Sequence, residues 1–331
     1  MACSHDGMSR SRIAVLAVLA GMLTVAVLPT PAVAAPNPDP GPPLSTFTSW
    51  LDKNLLCAEG DADKATVLLL PGTTVNTDEN FGWNYAQAFH LDQRPFCTLD
   101  LPDRTMGDIQ VAAEYVVAAI RAVYRDSGHK IAILGHSQGG MISRWALKYW
   151  PDTRGMVDDL IGMAPSNHGS DQASLLCSPD CAPAIWQQRT GSAFMTALNA
   201  GPETWPGISY SVIYSLTDGI IVPAESSKLT TGQGAIANIV ASEACPGRSP
   251  DHLSLGTHDP VTYALVEDAL NHAGPASMER FDDSFCTAVF QPGVNQAFAA
   301  LHFSRATSAV AATILLTPHV AAEPELAPYA K

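Results

Sequence analysis

The feature that most constrains this 331-residue chain is the decapeptide Ile131-Ala132-Ile133-Leu134-Gly135-His136-Ser137-Gln138-Gly139-Gly140. A short apolar run, a Gly-x-Ser-x-Gly turn and the opening of a helix follow one another directly. In such an arrangement the serine sits on a strained strand-to-helix turn, and side chains two residues to either side would collide. Both positions are glycine here, Gly135 and Gly139. The turn lifts the Ser137 hydroxyl clear of the strand. It also points the unpaired N–H groups of the new helix, starting with Gln138, at the place where an oxyanion would develop.

The flanking sequence fits one architecture. Residues 66–70 form a short continuous apolar run ending in Pro71-Gly72, as expected for a strand buried on both faces, and 130–134 repeat the pattern. Residues 160–163 and 208–215 read as further strands, and 107–124, 138–149 and 261–271 as helices. Alternation of this kind predicts a mostly parallel central sheet with helices on both faces, a three-layer sandwich. With the serine turn it predicts the α/β-hydrolase fold. The Ser-, Pro- and Cys-rich stretch 165–190 fits neither period. It is expected to be an excursion over the sheet edge, either a fixed loop or a lid above Ser137.

A serine hydroxyl becomes nucleophilic only when a base takes its proton, and the base needs a carboxylate to hold its tautomer. In this fold the chain order is Ser, then acid, then His. Asp218 follows the 208–215 strand in the turn Leu216-Thr217-Asp218-Gly219 and is the expected acid. His252, in the loop before the helix near Pro260, is the expected base, with His258 as its rival; His168 precedes Asp218 and breaks the order. Asp251 is expected only to shape its loop. Thr73, after the strand that ends in Pro71-Gly72, is expected to supply the second oxyanion donor through its N–H and its hydroxyl. This set predicts cleavage of carboxylic esters through an acyl-enzyme, with no metal and no cofactor.

The ends and the cysteines add the setting. Residues 1–34 read as a secretory signal peptide, with Arg10 and Arg12 before the apolar run 13–28 and the small-residue site Ala32-Val33-Ala34 after it. The run is short for a membrane span, so a secreted protein without a stable membrane anchor is expected. Residues 35–45 form a Pro-rich leader, and 46–331 are expected to be one catalytic domain. Cys3 leaves with the signal, and the remaining six cysteines fall into the local pairs Cys57–Cys97, Cys177–Cys181 and Cys245–Cys286. The lone Cys-x-x-x-Cys lacks the second pair that a zinc site would need. A net charge of −14 argues against nucleic acid as a partner and says nothing against a neutral ester. A monomer is expected.

These residues also resemble the family of Candida antarctica lipase B and its bacterial relatives, from about Lys53 to the end of the chain. The signposts are LLLPGTT at 68–74, QVAAEYVVAAIRAVY at 110–124, SQGG at 137–140 and MAP at 163–165. Further on they are IWQQRTGSAFMTAL at 185–198, YSLTDGIIVP at 214–223 and EPELAPYA at 323–330. The resemblance implies a lipase with Ser137, Asp218 and His252 as triad, Thr73 and Gln138 as oxyanion hole, and the 57–97 and 245–286 disulfides. A triacylglycerol lipase acting on lipid at an oil–water interface is the expected function. Alternatives are a short-chain esterase, a polyester depolymerase, an acyltransferase, and a binding protein that has lost its chemistry. The sequence departs from the family at His136, where the family has tryptophan, and at Ser166, where it has aspartate. His136 and Ser166 are expected in the substrate pocket, His136 widening it and making it titratable. Ala322 replaces a family cysteine, and Cys177–Cys181 has no family counterpart.

Overall fold

The computed structural model describes residues 39–46 and 48–331. Residues 1–34, expected to be a signal peptide, and residues 35–38 of the expected leader lie outside the described residues. Among those described, seven strands form one sheet: β1 (Leu55–Ala58), β2 (Val67–Leu70), β3 (Phe96–Leu99), β4 (Ile131–His136), β5 (Val157–Met163), β6 (Ser209–Tyr214) and β7 (Ala235–Val240). Their spatial order is β1-β3-β2-β4-β5-β6-β7. Only β1 runs antiparallel to its neighbour. This is the α/β-hydrolase fold.

The longer helices are α1 (Tyr85–Leu91), α2 (Ile109–Ser127), α3 (Gln138–Tyr149), α4 (Asp171–Leu176), α5 (Pro183–Gln187), α6 (Ala193–Asn199), α7 (His252–Thr257), α8 (Pro260–Asn271) and α9 (Ala299–Leu316). Every residue of β2 and β4 is buried. Alternation along the strands sends Leu68, Leu70, Ile131 and Ile133 to the face covered by α2 and α3. Val67, Leu69, Ala132 and Leu134 go to the face covered by α1 and α8. Burial on both faces is why these strands read as unbroken apolar runs.

The strands and helices expected from the sequence fall on β2, β4, β5, β6, α2, α3 and α8. It did not reveal β1, β3 and β7, which lie toward the sheet edges and are short or only partly buried. The 165–190 stretch carries α4 and α5 on either side of Cys177–Cys181. Both helices are too short to show a period. All three disulfides have the expected partners. Cys57–Cys97 pins β1 to β3 at a paired position.

The described part of the leader is seated on the domain. Arg121 donates to the Pro40 carbonyl (2.7 Å), Trp150 to that of Pro42 (2.8 Å), and the Ser45 hydroxyl to Glu114 (2.9 Å). Helix α9 has the length and apolarity of a membrane-crossing helix, with 17% of it buried. Leu315 and Leu316 stand exposed near its end.

Between β4 and α3, Ser137 adopts φ 53° and ψ −120°, a conformation that costs a non-glycine residue free energy. A Cβ at Gly139 would overlap the Leu70 carbonyl, and one at Gly135 would overlap the backbone of Gly139 and Gly140. Gly139→Ala therefore forces two backbone segments apart. It is expected to cost at least about 3 kcal/mol of stability in urea unfolding; a midpoint equal to wild type would refute the close approach.

Candidate active site

Ser137, Asp218 and His252 line one cleft of about 360 Å³, at the carboxyl ends of the central strands. Ser137 is placed by the β4–α3 turn, Asp218 by the turn after β6, and His252 by the first position of α7. Asp251 caps α7, its carboxylate accepting from the N–H groups of Leu253 and Ser254. It shapes the loop, as expected, but it also lines the cleft, which the sequence did not reveal.

Asp218 Oδ2 lies 2.8 Å from His252 Nδ1. Its other oxygen accepts from Ile220 N (2.9 Å) and Ile221 N (2.6 Å), and its backbone carbonyl accepts from His252 N (3.1 Å). Burial works against a charge on Asp218. The charge and ring N–H of His252 and the two backbone N–H groups outweigh it, so the carboxyl titrates below the ordinary range. With Nδ1 bound to the carboxylate, Nε2 is the nitrogen left for proton transfer. Among the described residues no hydrogen bond joins Ser137 Oγ to the ring, a contact that commonly tightens only when substrate binds.

The rival histidines stand elsewhere. His258 Nδ1 meets Thr257 Oγ1 at 3.0 Å, and its ring packs among Trp83, Phe290 and Phe303. His168 bonds the Glu203 carboxylate (2.5 Å) and the Ser226 carbonyl (2.8 Å). Neither lines the cleft.

Thr73 lines the cleft beside Ser137, and Gln138 is the first residue of α3. Neither backbone N–H is spent on another protein group among the described residues. Thr73 Oγ1 accepts one amide N–H from Gln138 (3.1 Å) and one from Gln188 (3.0 Å). A hydroxyl has two acceptor sites and one proton. With both acceptor sites filled, the Thr73 proton is left to donate, and Gln188 Oε1 lies 3.4 Å away as its acceptor. Gln188 is held in turn by Ser166, whose hydroxyl donates to its Oε1 at 2.9 Å.

The sequence did not single out Gln188. The available signal was an amide directly after the short apolar helix α5, where a buried amide needs partners. Asn80 was also missed. Its Oδ1 accepts from Gly72 N (2.9 Å) and faces His136 Nδ1 (3.1 Å), while its Nδ2 donates to the Gly256 carbonyl (3.0 Å). Asn80 thus ties the loop before Thr73 to the serine turn and to α7.

His136 and Ser166 both line the cleft, as expected. The expectation that His136 makes the cleft titratable is corrected. Burial, and next the neighbouring His252, push its pKa down to about 3, so the ring is neutral at any ordinary working pH. Its Nε2 faces the His252 carbonyl at 3.1 Å. A Cβ at Gly256 would overlap the imidazole, which explains a glycine inside α7.

The cleft walls are apolar. Ala173 and Leu176 come from α4, Ile185 from α5, and Val310 and Ile314 from α9. The walls are joined where Val320 N donates to the Cys181 carbonyl (2.9 Å) and Cys181 N to that of Val320 (3.4 Å).

A family model described as a PGAP1-like alpha/beta domain matches residues 98–177. Lipase B of Pseudozyma antarctica is 33% identical over an alignment covering 95% of this chain and 93% of that protein. The crystal structure of Aspergillus fumigatus lipase B superposes with a TM-score of 0.80 at 28% identity, covering 88% of this chain and 74% of that one. The mature form of Bacillus licheniformis lipase BlEst2 shares the fold, with a TM-score of 0.50 at 18% identity over 61% of this chain and 92% of that one. Fold and similarity together define a carboxylic ester hydrolase of the α/β-hydrolase class. Within that class, the chain belongs to the lipase B family.

His136 has a measurable consequence for stability. Its folded pKa of about 3 lies below the value near 6.5 of an unfolded histidine. Between these pH values the unfolded state binds the extra proton, so stability is lost as pH falls through that window. His136→Phe is expected to flatten the slope of unfolding free energy between pH 6 and 4 by up to about 1.4 kcal/mol per pH unit. Equal slopes for the two proteins would contradict this, whatever their absolute stabilities.

Proposed function

We propose that this enzyme is a secreted triacylglycerol lipase acting through an acyl-enzyme on Ser137. The observation that carries the reading is the Asp218–His252 pair, 2.8 Å apart, in the same apolar cleft as the strained serine turn. Ser137 Oγ attacks the ester carbonyl carbon as His252 Nε2 takes its proton, and Asp218 stabilises the resulting imidazolium. The N–H groups of Thr73 and Gln138, with the Thr73 hydroxyl, receive the oxyanion. The imidazolium then gives its proton to the departing alkoxide, which leaves as the alcohol. A water deprotonated by His252 attacks the acyl-serine, and collapse of the second intermediate returns the proton to Oγ and releases the acid.

A lipid substrate, rather than a small soluble ester, is supported by the cleft mouth. Leu176 and Ile220 line the cleft and are more than half exposed. Exposed Leu315 and Leu316 follow directly on the cleft-lining Ile314. Such a rim costs free energy in water and is matched by an oil surface. Export is supported by the signal-like N-terminus and three disulfides.

Ser137→Ala is expected to abolish p-nitrophenyl butyrate hydrolysis, with the thermal midpoint retained. His252→Ala should lose the acylation burst, and His258→Ala should keep it. Near-wild-type turnover by Ser137→Ala would sink the mechanism. A rate on emulsified triglycerides no higher than on dissolved tributyrin would leave the esterase and remove the lipase.

A further inference from the structure

Two stretches of unusual backbone meet beside the cleft. Thr74, next to Thr73, has φ 78° and is buried. For a β-branched residue this is a genuine outlier, one that persists only where its surroundings impose it. Asp103, Arg104 and Thr105 are also left-handed, at φ 52°, 53° and 63°.

The second stretch grips the first. Thr74 N donates to the Arg104 carbonyl (3.0 Å) and to Thr105 Oγ1 (3.0 Å), and Arg104 Nε donates to the Thr74 carbonyl (3.0 Å). Thr105 Oγ1 donates to the Gly72 carbonyl (2.8 Å), so the residues on both sides of Thr73 are held. The Thr105 carbonyl accepts from Gln138 Nε2 (2.9 Å), and that same amide nitrogen reaches Thr73 Oγ1.

The Arg104 side chain is itself anchored at two further points. It pairs with Glu79, in the helical turn Asp78–Gly82 that follows the Thr73 loop. Its single Nε–H, which the Thr74 carbonyl accepts, is shared with Thr313 Oγ1 at 2.9 Å. Thr313 is one of the few buried residues of α9, the helix that places Val310 and Ile314 in the cleft wall.

We infer that Arg104 is a positioning residue for the oxyanion donors: joined to Glu79 and to Thr313 of α9, it holds Thr74 in its left-handed conformation and so sets where Thr73 points. Arg104 does not line the cleft. It acts through the backbone of residues 72–74. The seating of α9 on the domain is thereby linked to the geometry of the reacting site. This rests on Thr73 and Gln138 being the oxyanion donors.

The test measures kcat per active serine, titrated with a phosphonate, on p-nitrophenyl butyrate. Arg104→Gln is expected to lower kcat on the order of 10- to 100-fold, because donors displaced by a fraction of an ångström stabilise the transition state poorly. KM should change less than about threefold, since ground-state binding uses the apolar walls. In a Thr74→Gly background, where glycine accepts φ 78° unaided, the same change should cost less than about threefold. That dependence on residue 74 separates positioning from a general loss of structure. Arg104→Lys, which keeps the charge beside Glu79, should fall between. Thr313→Val should lower kcat on the order of threefold by removing the α9 anchor.

An unchanged kcat in Arg104→Gln, or an equal penalty in both backgrounds, overturns the inference. If Arg104→Gln does not fold, Arg104→Lys and Thr313→Val decide, and wild-type kcat in both overturns it. An inactive Ser137→Ala beside an unaffected Arg104→Gln rejects this inference alone. An active Ser137→Ala rejects the mechanism beneath it.

Discussion

The carbonyl oxygen of Leu70 occupies the space that a side chain on residue 139 would need, and the rest of the site depends on that contact. It lets α3 approach the end of β2 closely enough for two separate segments to share one target. Ser137 and Gln138 arrive on one of them and Thr73 on the other. Had β2 and α3 stood a methyl group further apart, the Thr73 hydroxyl could not accept from the Gln138 amide. The strained serine and the paired donors are thus two results of one packing decision, made where the sheet is wholly buried and least able to relax.

Electrostatics follows from the same burial. Two imidazoles lie with ring centroids 4.8 Å apart, His136 and His252, and only one has a carboxylate against it. Asp218 keeps its charge because His252 and two backbone N–H groups repay its loss of water. His136, with an amide and a carbonyl as partners, stays neutral. The neutral ring can therefore serve as a fixed spacer between the serine turn, the Asn80 amide and α7, while the proposed mechanism gives proton transfer to the paired ring.

How much of this was legible in the sequence follows from how local each signal is. The Gly135–Gly139 spacing, the runs in β2 and β4 and the Ser–Asp–His order are properties of a few adjacent residues or of chain order, and they were readable. So was the cysteine pairing, since each of the six cysteines pairs with the nearest one along the chain. Strands β1, β3 and β7 were not, because partly buried or very short strands show neither a continuous nor an alternating pattern. Gln188 and Asn80 escaped because an amide has no distinguishing neighbours. Its role appears only when partners more than a hundred residues away, such as Thr73 for Gln188 and Gly256 for Asn80, come within reach. The supposed titration of His136 failed for the same reason: residue type suggested it, and burial forbids it.

The two-rung bridge between Cys181 and Val320 joins a loop closed by its own disulfide to the strap that follows α9. Trp186 of the first wall adds a third bond to the Val320 carbonyl (2.9 Å), and His319 Nδ1 lies 2.8 Å from Asp180. The opposing jambs of the cleft are thus hinged to one lintel. Widening the doorway by swinging out one side alone would tear these bonds, whereas carrying both sides together would keep them.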